Sequence, residues 1–320
     1  MLHAKSTALE VVQTLNVDLT GKTVLITGGT AGIGLETARA LVSAHAYVII
    51  TGRDMIKGKK AVEDIQQSTN SNQIELMELH LDSFESIRLF TEEYIKRNLS
   101  LHILICNAGV FTGTRKITKD GFEHNWGINH LAHFLLVQLL LPVLRKSQPV
   151  RIIVVSSLAN RRGGIDFDDV NWEKRHYDKW AAYAQSKVAN ILFAKQASQL
   201  YGDQGIKVFS LHPGTIFTDI QKEFTQEDWD RVGWIDKETG KPIERIKTVE
   251  QGASTSVWVA LAPELENQSG AYCEDCAISP GVVHPSTPIL YGLAAHSVDM
   301  ELAKRLWKLS EKSVESFLMK

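Results

Sequence analysis

The apolar run Thr23-Val24-Leu25-Ile26 passes without a break into Thr27-Gly28-Gly29-Thr30-Ala31-Gly32-Ile33-Gly34. A short buried strand, a glycine-rich turn and the start of an amphipathic segment make the opening half of a strand–helix–strand unit. The glycines let the backbone approach a ligand closely, and the helix that follows presents unpaired amides suited to an anion. The same alternation continues downstream. Further β-branched or apolar runs lie at Val48-Ile49-Ile50-Thr51, at 74–79, at Ile103-Leu104-Ile105, at Ile152-Ile153-Val154-Val155 and at Val208-Phe209-Ser210-Leu211. Between them fall helical patterns at 34–43, 86–96, 131–144 and 184–201. Alternation of this kind predicts a parallel sheet covered on both faces, and right-handed crossovers make a doubly wound, Rossmann-type α/β sheet the expected architecture. Ligands then belong at the carboxyl ends of the strands.

No Gly/Ser/Pro-rich linker, internal repeat or low-complexity stretch divides the 320 residues. One domain is expected, 1–320, with a core over about 20–280 and a C-terminal extension over 281–320. A net charge of −2 with dispersed positive residues gives no footprint for nucleic acid. Runs such as Lys57-Gly58-Lys59-Lys60 read as solvated faces. The N-terminal residues carry no signal-peptide core, and no uncharged stretch approaches about 18 residues. The most apolar stretch, 131–144, holds His133 and Pro142 and reads as a buried helix rather than a span. A cytoplasmic protein is expected, with at most weak peripheral membrane association; a homo-oligomer is compatible with the composition. Three cysteines fit a reducing compartment. Cys273 and Cys276 are spaced Cys-x-x-Cys but lack a second pair, so no metal site is expected, and Cys106 reads as core.

A second pattern stands far downstream, Tyr183-Ala184-Gln185-Ser186-Lys187. Four residues apart on a helix, the phenol and the ammonium share a face, so the cation stabilises a developing phenolate and also reaches a ribose hydroxyl. Alone, a Tyr-x-x-x-Lys is usually helix surface, and a glycine-rich turn is often only a turn. Together, and with Gly28, Gly32 and Gly34 spaced Gly-x-x-x-Gly-x-Gly, they resemble the short-chain dehydrogenase/reductase family, whose turn reads Thr-Gly-x-x-x-Gly-Ile-Gly with Ile33 at the isoleucine. The resemblance runs from about Lys22 to Ile278. Its nearest branch is similar to the retinol dehydrogenase-like and WW-domain oxidoreductase-like enzymes. The marks are Asn129-His130-Leu131-Ala132-His133-Phe134, Val155-Ser156-Ser157-Leu158-Ala159, the segment around Tyr183 and the long insert between Ser157 and Tyr183. The seven tryptophans show no paired WW arrangement near the N-terminus.

The resemblance implies hydride transfer between a nicotinamide cofactor and a carbonyl or alcohol. A carbonyl that accepts hydride needs a proton donor at oxygen and a stabiliser of the alkoxide. Tyr183 is the candidate acid/base, and Lys187 is the cation that makes its ionised form accessible. By resemblance Ser157 holds the substrate oxygen, with Ser156 as the other choice, and Asn129 holds a water in the proton relay to the lysine. Around the cofactor, Gly28, Gly32, Ile33 and Gly34 form the phosphate turn, Asp82 meets the adenine, and Asn107-Ala108-Gly109 lets the backbone pass, with Cys106 where the family has asparagine. Pro213, Gly214, Ile216 and Thr218 meet the carboxamide, and Tyr183 and Lys187 also touch the cofactor.

NAD-binding sheets end the second strand in an acidic residue, whereas this chain has Gly52-Arg53. No carboxylate repels a 2′-phosphate there, and a guanidinium is placed to bind it. NADP(H) is therefore the expected cofactor, with Thr30 and Lys57 assisting; an Arg53–Asp54 surface pair is the alternative. Two stretches break the strand–helix rhythm, Asn160 to Trp180 and Thr215 to Thr248. The second, carrying Phe224, Trp229 and Trp234, is expected to close over the substrate as a lid, with a surface insertion as its alternative. The expected substrate is a small apolar carbonyl or alcohol, lipid-like or aromatic. A catalytically silent binding or scaffold protein is the rival function, and the complete set Asn129, Ser157, Tyr183 and Lys187 argues against it.

Overall fold

The computed structural model describes residues 2–318. Among them, eight strands form one sheet in the order β3-β2-β1-β4-β5-β6-β7-β8. β1 (Thr23–Ile26), β2 (Tyr47–Gly52), β3 (Ile74–Glu78), β4 (Ile103–Cys106), β5 (Val150–Val155), β6 (Ile206–His212) and β7 (Tyr272–Glu274) run parallel. β8 (Ala277–Ile278) turns back antiparallel. The chain winds outward from β1 through β2 and β3, then returns across β1 to lay down β4 on its other side. That reversal opens a crevice at the carboxyl ends of β1 and β4.

Successive strand side chains point to opposite faces, and here both faces are buried. Leu25, Leu104, Ile152 and Val154 join the core beneath α4 (Phe84–Lys96), α6 (Ala132–Lys146), α7 (Lys179–Tyr201) and α10 (Met300–Leu318). Val24, Ile26, Ile105 and Ile153 join the core beneath α1 (Ala8–Leu15), α2 (Gly32–Ser43), α3 (Met55–Thr69) and α9 (Val249–Leu261). This double burial explains why the strands read as unbroken apolar runs. α5 (His124–Trp126), a π-turn (Gly127–Leu131) and α6 form one helical rod, and α8 (Gln226–Val232) lies in the long segment after β6.

The six expected strands are present, with small changes at their ends. β3 stops at Glu78, although the Leu79 amide still donates to the Gly52 carbonyl at 3.0 Å. The expected helix at 131–144 begins well before that, at His124. By length and composition the rod His124–Lys146 is apolar enough to cross a membrane, but 78% of its most apolar window is buried in the core. The helix expected from 184 starts at Lys179, because the Asp178 side chain accepts from the Trp180 and Ala181 amides. The charge run at 57–60 lies on α3, with Lys57, Lys59 and Lys60 exposed and Gly58 packed on Leu76. Cys273 sits on β7 and Cys276 in the turn after it; both thiols are free and buried, burial pushes Cys273 up to about 12, and no metal cluster occurs among the described residues.

α10 lies beyond the expected core range, yet it is part of the core. Ala303, Leu306, Trp307, Ser310 and Val314 share one buried face at helical spacing. Trp307 stacks on Phe193 with centroids 5.8 Å apart and meets Phe134 edge-on at 5.0 Å. Ser310 Oγ pairs with His130 Nε2 at 2.8 Å, and burial pushes His130 down to about 3, so the ring is neutral. Removing a buried aromatic of this size costs about 3–5 kcal/mol. Trp307→Ala should therefore lower the urea midpoint by an amount equivalent to about 3 kcal/mol or more. An unchanged midpoint would show that α10 is peripheral.

Candidate active site

The crevice begins at Thr27, the residue after β1. Its hydroxyl accepts from the Asn107 and Ala108 amides, both at 3.0 Å, and lies 2.9 Å from His133 Nε2. His133 Nδ1 faces the Asn129 carbonyl at 3.1 Å, so Nδ1 carries the proton; burial pushes the ring down to about 4 and keeps it neutral. Nε2 is then an acceptor and the Thr27 hydroxyl donates to it. One side chain thus joins the ends of β1 and β4 to the rod bearing Asn129. Asn107 Nδ2 continues the knot by donating to the Thr27 and Gly28 carbonyls at 2.9 and 3.2 Å. Asn107, which also lines the cleft, therefore braces the glycine turn.

Gly28 has φ of 65°, a conformation that disfavours L side chains. A Cβ on Gly34 would lie 2.4 Å from the Gly28 carbonyl oxygen and 2.6 Å from Asn107 Nδ2. The turn is consequently pressed against the loop that follows β4. α2 starts from it with no side-chain cap on its N-terminus, in contrast to α1, α3, α4, α7 and α9. Free first-turn amides above a glycine cradle fit the pyrophosphate of a dinucleotide.

At the centre, Ser157, Tyr183 and Lys187 line one cleft, of about 750 Å³, together with the glycine turn. The two adjacent serines have separate tasks. Buried Ser156 donates to the Lys187 carbonyl at 2.7 Å and so fastens α7 to β5. Burial pushes the Tyr183 phenol up to about 12, and the Ser157 hydroxyl acts on it in the opposite, lowering sense. Lys187 is buried, donates to the Val155 carbonyl at 3.1 Å and lies 5.6 Å from the Tyr183 ring centroid. Burial pushes it down to about 8. Asn129 sits in the π-turn, its Oδ1 accepting from the Val110 amide at 2.8 Å and its Nδ2 donating to the Val110 carbonyl and Ser186 Oγ, both at 3.0 Å. Gly109 leaves room between them: a Cβ there would stand 3.3 Å from Lys187 Nζ and 3.5 Å from Asn129 Oδ1.

At one end of the cleft, Thr30, Gly52, Arg53, Lys57 and Asp82 form the wall. Asp54 is not paired with Arg53; its carboxylate caps α3 by accepting from the Ile56 and Lys57 amides at 3.0 and 2.9 Å. Arg53 is exposed and has no ion pair among the described residues, whereas Lys57 meets Asp219 at 3.0 Å. Pro213, Gly214, Ile216 and Thr218 line the far side, with Thr218 capping a short turn and packing over Gly32.

The segment Thr215 to Thr248 walls the cleft through Phe217, Phe224, Val232, Trp234 and Arg245. Glu223 ties it across the opening, accepting from the Gly113 amide at 2.8 Å and Lys116 at 2.7 Å. Trp229, expected to face the substrate, instead packs behind this wall, 5.1 Å from Phe224 and 6.2 Å from Trp234. Sequence reading missed Phe111 and Trp180, whose rings meet at 4.9 Å inside the cleft. The position of Trp180, three residues before Tyr183 on the same helix, was the available signal. It also missed Thr27, His133 and His212, a cleft residue that burial pushes down to about 3.

The family model described as short chain dehydrogenase matches residues 22–229. Retinol dehydrogenase 12 of Homo sapiens is 38% identical over 298 residues, 92% of this chain and 87% of that protein. The WW domain-containing oxidoreductase of Gallus gallus is 36% identical over 321 residues, 98% of this chain and 72% of that protein. A solved, uncharacterised protein of Mycobacterium paratuberculosis superposes with a TM-score of 0.71 at 28% identity, covering 97% of this chain and 98% of the other.

The flattened turn makes a direct test of the dinucleotide cradle. Gly34→Ala should displace Gly28 and weaken NADPH binding at least tenfold in a fluorescence titration, because the added carbon meets a backbone oxygen that Asn107 already holds. Unchanged affinity would show that the turn does not carry the phosphates.

Proposed function

The chain belongs to the short-chain dehydrogenase family of oxidoreductases, and we propose that it is an NADP(H)-dependent member that interconverts a carbonyl and an alcohol on an apolar substrate. The observation that carries this reading is the meeting of Ser157, Tyr183 and Lys187 in one cleft with the uncapped start of α2. When bound, a nicotinamide supplies or accepts the hydride. The chain does the rest. In the reducing direction the substrate oxygen sits between Ser157 Oγ and Tyr183 Oη, with Ser157 donating a hydrogen bond and Tyr183 delivering the proton as the carbon gains its hydrogen. Lys187, held by Val155, opposes the negative charge left on the phenol. Asn129, fixed at both ends by Val110, stands beside this path and suits a water that returns the proton.

Apolar specificity is supported by the rings of Phe111, Trp180, Phe224 and Trp234 lining the cleft, and by relatives named retinol dehydrogenases. NADP(H) is favoured because Asp54 is occupied as a cap, which leaves the Arg53 guanidinium for a 2′-phosphate. Lys57 is close by but would have to leave Asp219 to join it. Three free thiols favour the reducing cytoplasm, with at most weak peripheral membrane contact.

Tyr183→Phe should abolish NADPH consumption with aromatic and aliphatic ketones while leaving cofactor affinity nearly intact. In the unmodified protein, reductive kcat/KM should hold at neutral pH and fall as pH rises through about 8. Lys187 loses its charge there, since burial lowers its pKa, whereas the phenol keeps its proton until about 12. A Tyr183→Phe protein that keeps more than a few per cent of activity would remove the tyrosine from the mechanism.

Cofactor choice is tested separately. A charge-assisted contact contributes about 1.5–3 kcal/mol, or roughly ten- to a hundredfold in affinity. NADPH should exceed NADH by that factor and Arg53→Ala should remove most of the difference. Equal use of both cofactors by the unmodified protein would refute the role given to Arg53.

A further inference from the structure

One end of the cleft carries charge that an apolar substrate does not require. Arg162 follows Ser157 through the short turn Leu158–Arg162, and Arg245 comes from the segment after β6; both line the same cavity as Tyr183. Arg162 and Arg231, the latter on α8, stand over the Trp180 ring, their guanidinium carbons 5.5 and 5.3 Å from its centroid. Trp180 meets Phe111 at 4.9 Å, and Phe111 meets Tyr183 at 5.5 Å. A continuous aromatic wall therefore leads from the reacting phenol to guanidinium groups.

Single unpaired arginines on a surface are ordinary, but two lining an aromatic-walled cavity, with a third over the same indole, are not. None of the three takes part in an ion pair among the described residues. Asp228, one turn before Arg231, is engaged by Lys179 Nζ at 2.5 Å, Trp180 Nε1 at 3.1 Å and the Thr225 cap. Among the described residues, Arg245 hydrogen-bonds only to the Val232 carbonyl, at 3.4 Å. Solvent reaches Arg162 through the open cleft, yet protein crowds its sides, and that burial followed by the like charges of Arg231 and Arg245 holds its pKa below the usual value. Like charges held together in this way repel, and an anion between them relieves the repulsion. The cofactor's phosphate groups do not fill this role, because Arg53, Lys57 and Thr30 belong to the wall at the end of β2.

We propose that Arg162, with Arg231 and Arg245, forms an anion subsite, and that the substrate is an amphipathic carbonyl compound bearing a terminal carboxylate or phosphate. Its carbonyl lies at Ser157 and Tyr183, its apolar body along Phe111, Trp180 and Phe224, and its anionic oxygens at the guanidinium fork. The subsite rests on the oxidoreductase reading for the placement of the carbonyl.

The test uses three ketones on one aromatic skeleton that differ only at the far end: a carboxylate, its methyl ester and a phosphate monoester. Each is followed by NADPH consumption and, without turnover, by quenching of tryptophan fluorescence. The acid should exceed its ester about ten- to a hundredfold in kcat/KM, chiefly through KM, with the margin shrinking as salt rises. Arg162→Gln and Arg245→Gln should each draw the acid-to-ester ratio toward one. A phosphate that outdoes the carboxylate supports the subsite and identifies phosphate as its head group. Equal turnover and equal binding of acid and ester overturn it, as does an acid preference that survives both substitutions. Arg162-dependent binding of the acid with no turnover of any ketone would refute the oxidoreductase reading and leave the subsite standing.

Discussion

The hydroxyl of Thr27 is the point on which the two halves of the sheet agree. It lies where the winding direction reverses, and with both lone pairs and its proton in use it joins β1, the loop after β4 and the rod that carries Asn129. Every group in that knot is buried or nearly so, and a buried donor or acceptor left without its partner costs about 1–3 kcal/mol. The glycine turn then has one available height above the sheet. With Gly34 pressed under the Gly28 carbonyl and Asn107 donating to the Thr27 and Gly28 carbonyls, the glycine turn and the cleft of Ser157, Tyr183 and Lys187 are parts of one rigid surface.

Burial acts on Tyr183 and Lys187 in opposite senses. It makes Tyr183 hold its proton more firmly and Lys187 hold its own less firmly, since in both cases water is withdrawn from the charged form. A phenol that is protonated throughout the neutral range is a donor from the outset, which suits reduction of a carbonyl. Ionising it would need nearby positive charge, and the ammonium of Lys187 is supplied by the adjoining turn of the same helix.

The parallel core and the meeting of Tyr183 and Lys187 in one cleft were legible because each is written in short local signals: unbroken apolar runs for strands buried twice, glycines where φ or close approach demands them, and a phenol and ammonium one turn apart. Resemblance favoured Ser157 over Ser156; in the fold Ser156 donates to the Lys187 carbonyl, a bond that sequence does not announce. What could not be read was whatever depends on distant segments meeting. Phe111, Trp180 and Arg162 come from three different loops or helix starts, none with a periodic pattern that distinguishes cleft from surface. β7 and β8 are too short to announce themselves. Trp229 and Trp234 look alike in sequence, and only the fold of α8 turns one toward the cleft and leaves the other behind it.

The docking of α10 bears on how the molecule is made as well as on how it stands. His130 and Ser310 are 180 residues apart in the chain, and the helix that joins them fills a groove between α6 and α7. Until α10 is in place, Phe134, Phe193 and Tyr201 lack the indole that covers them. The long helix α7 therefore completes its packing only after about the whole sheet has been synthesised. Contacts closed across so long a loop form late, and chains dominated by them fold slowly. During synthesis that aromatic groove is an exposed sticky face, the kind of surface that molecular chaperones shield.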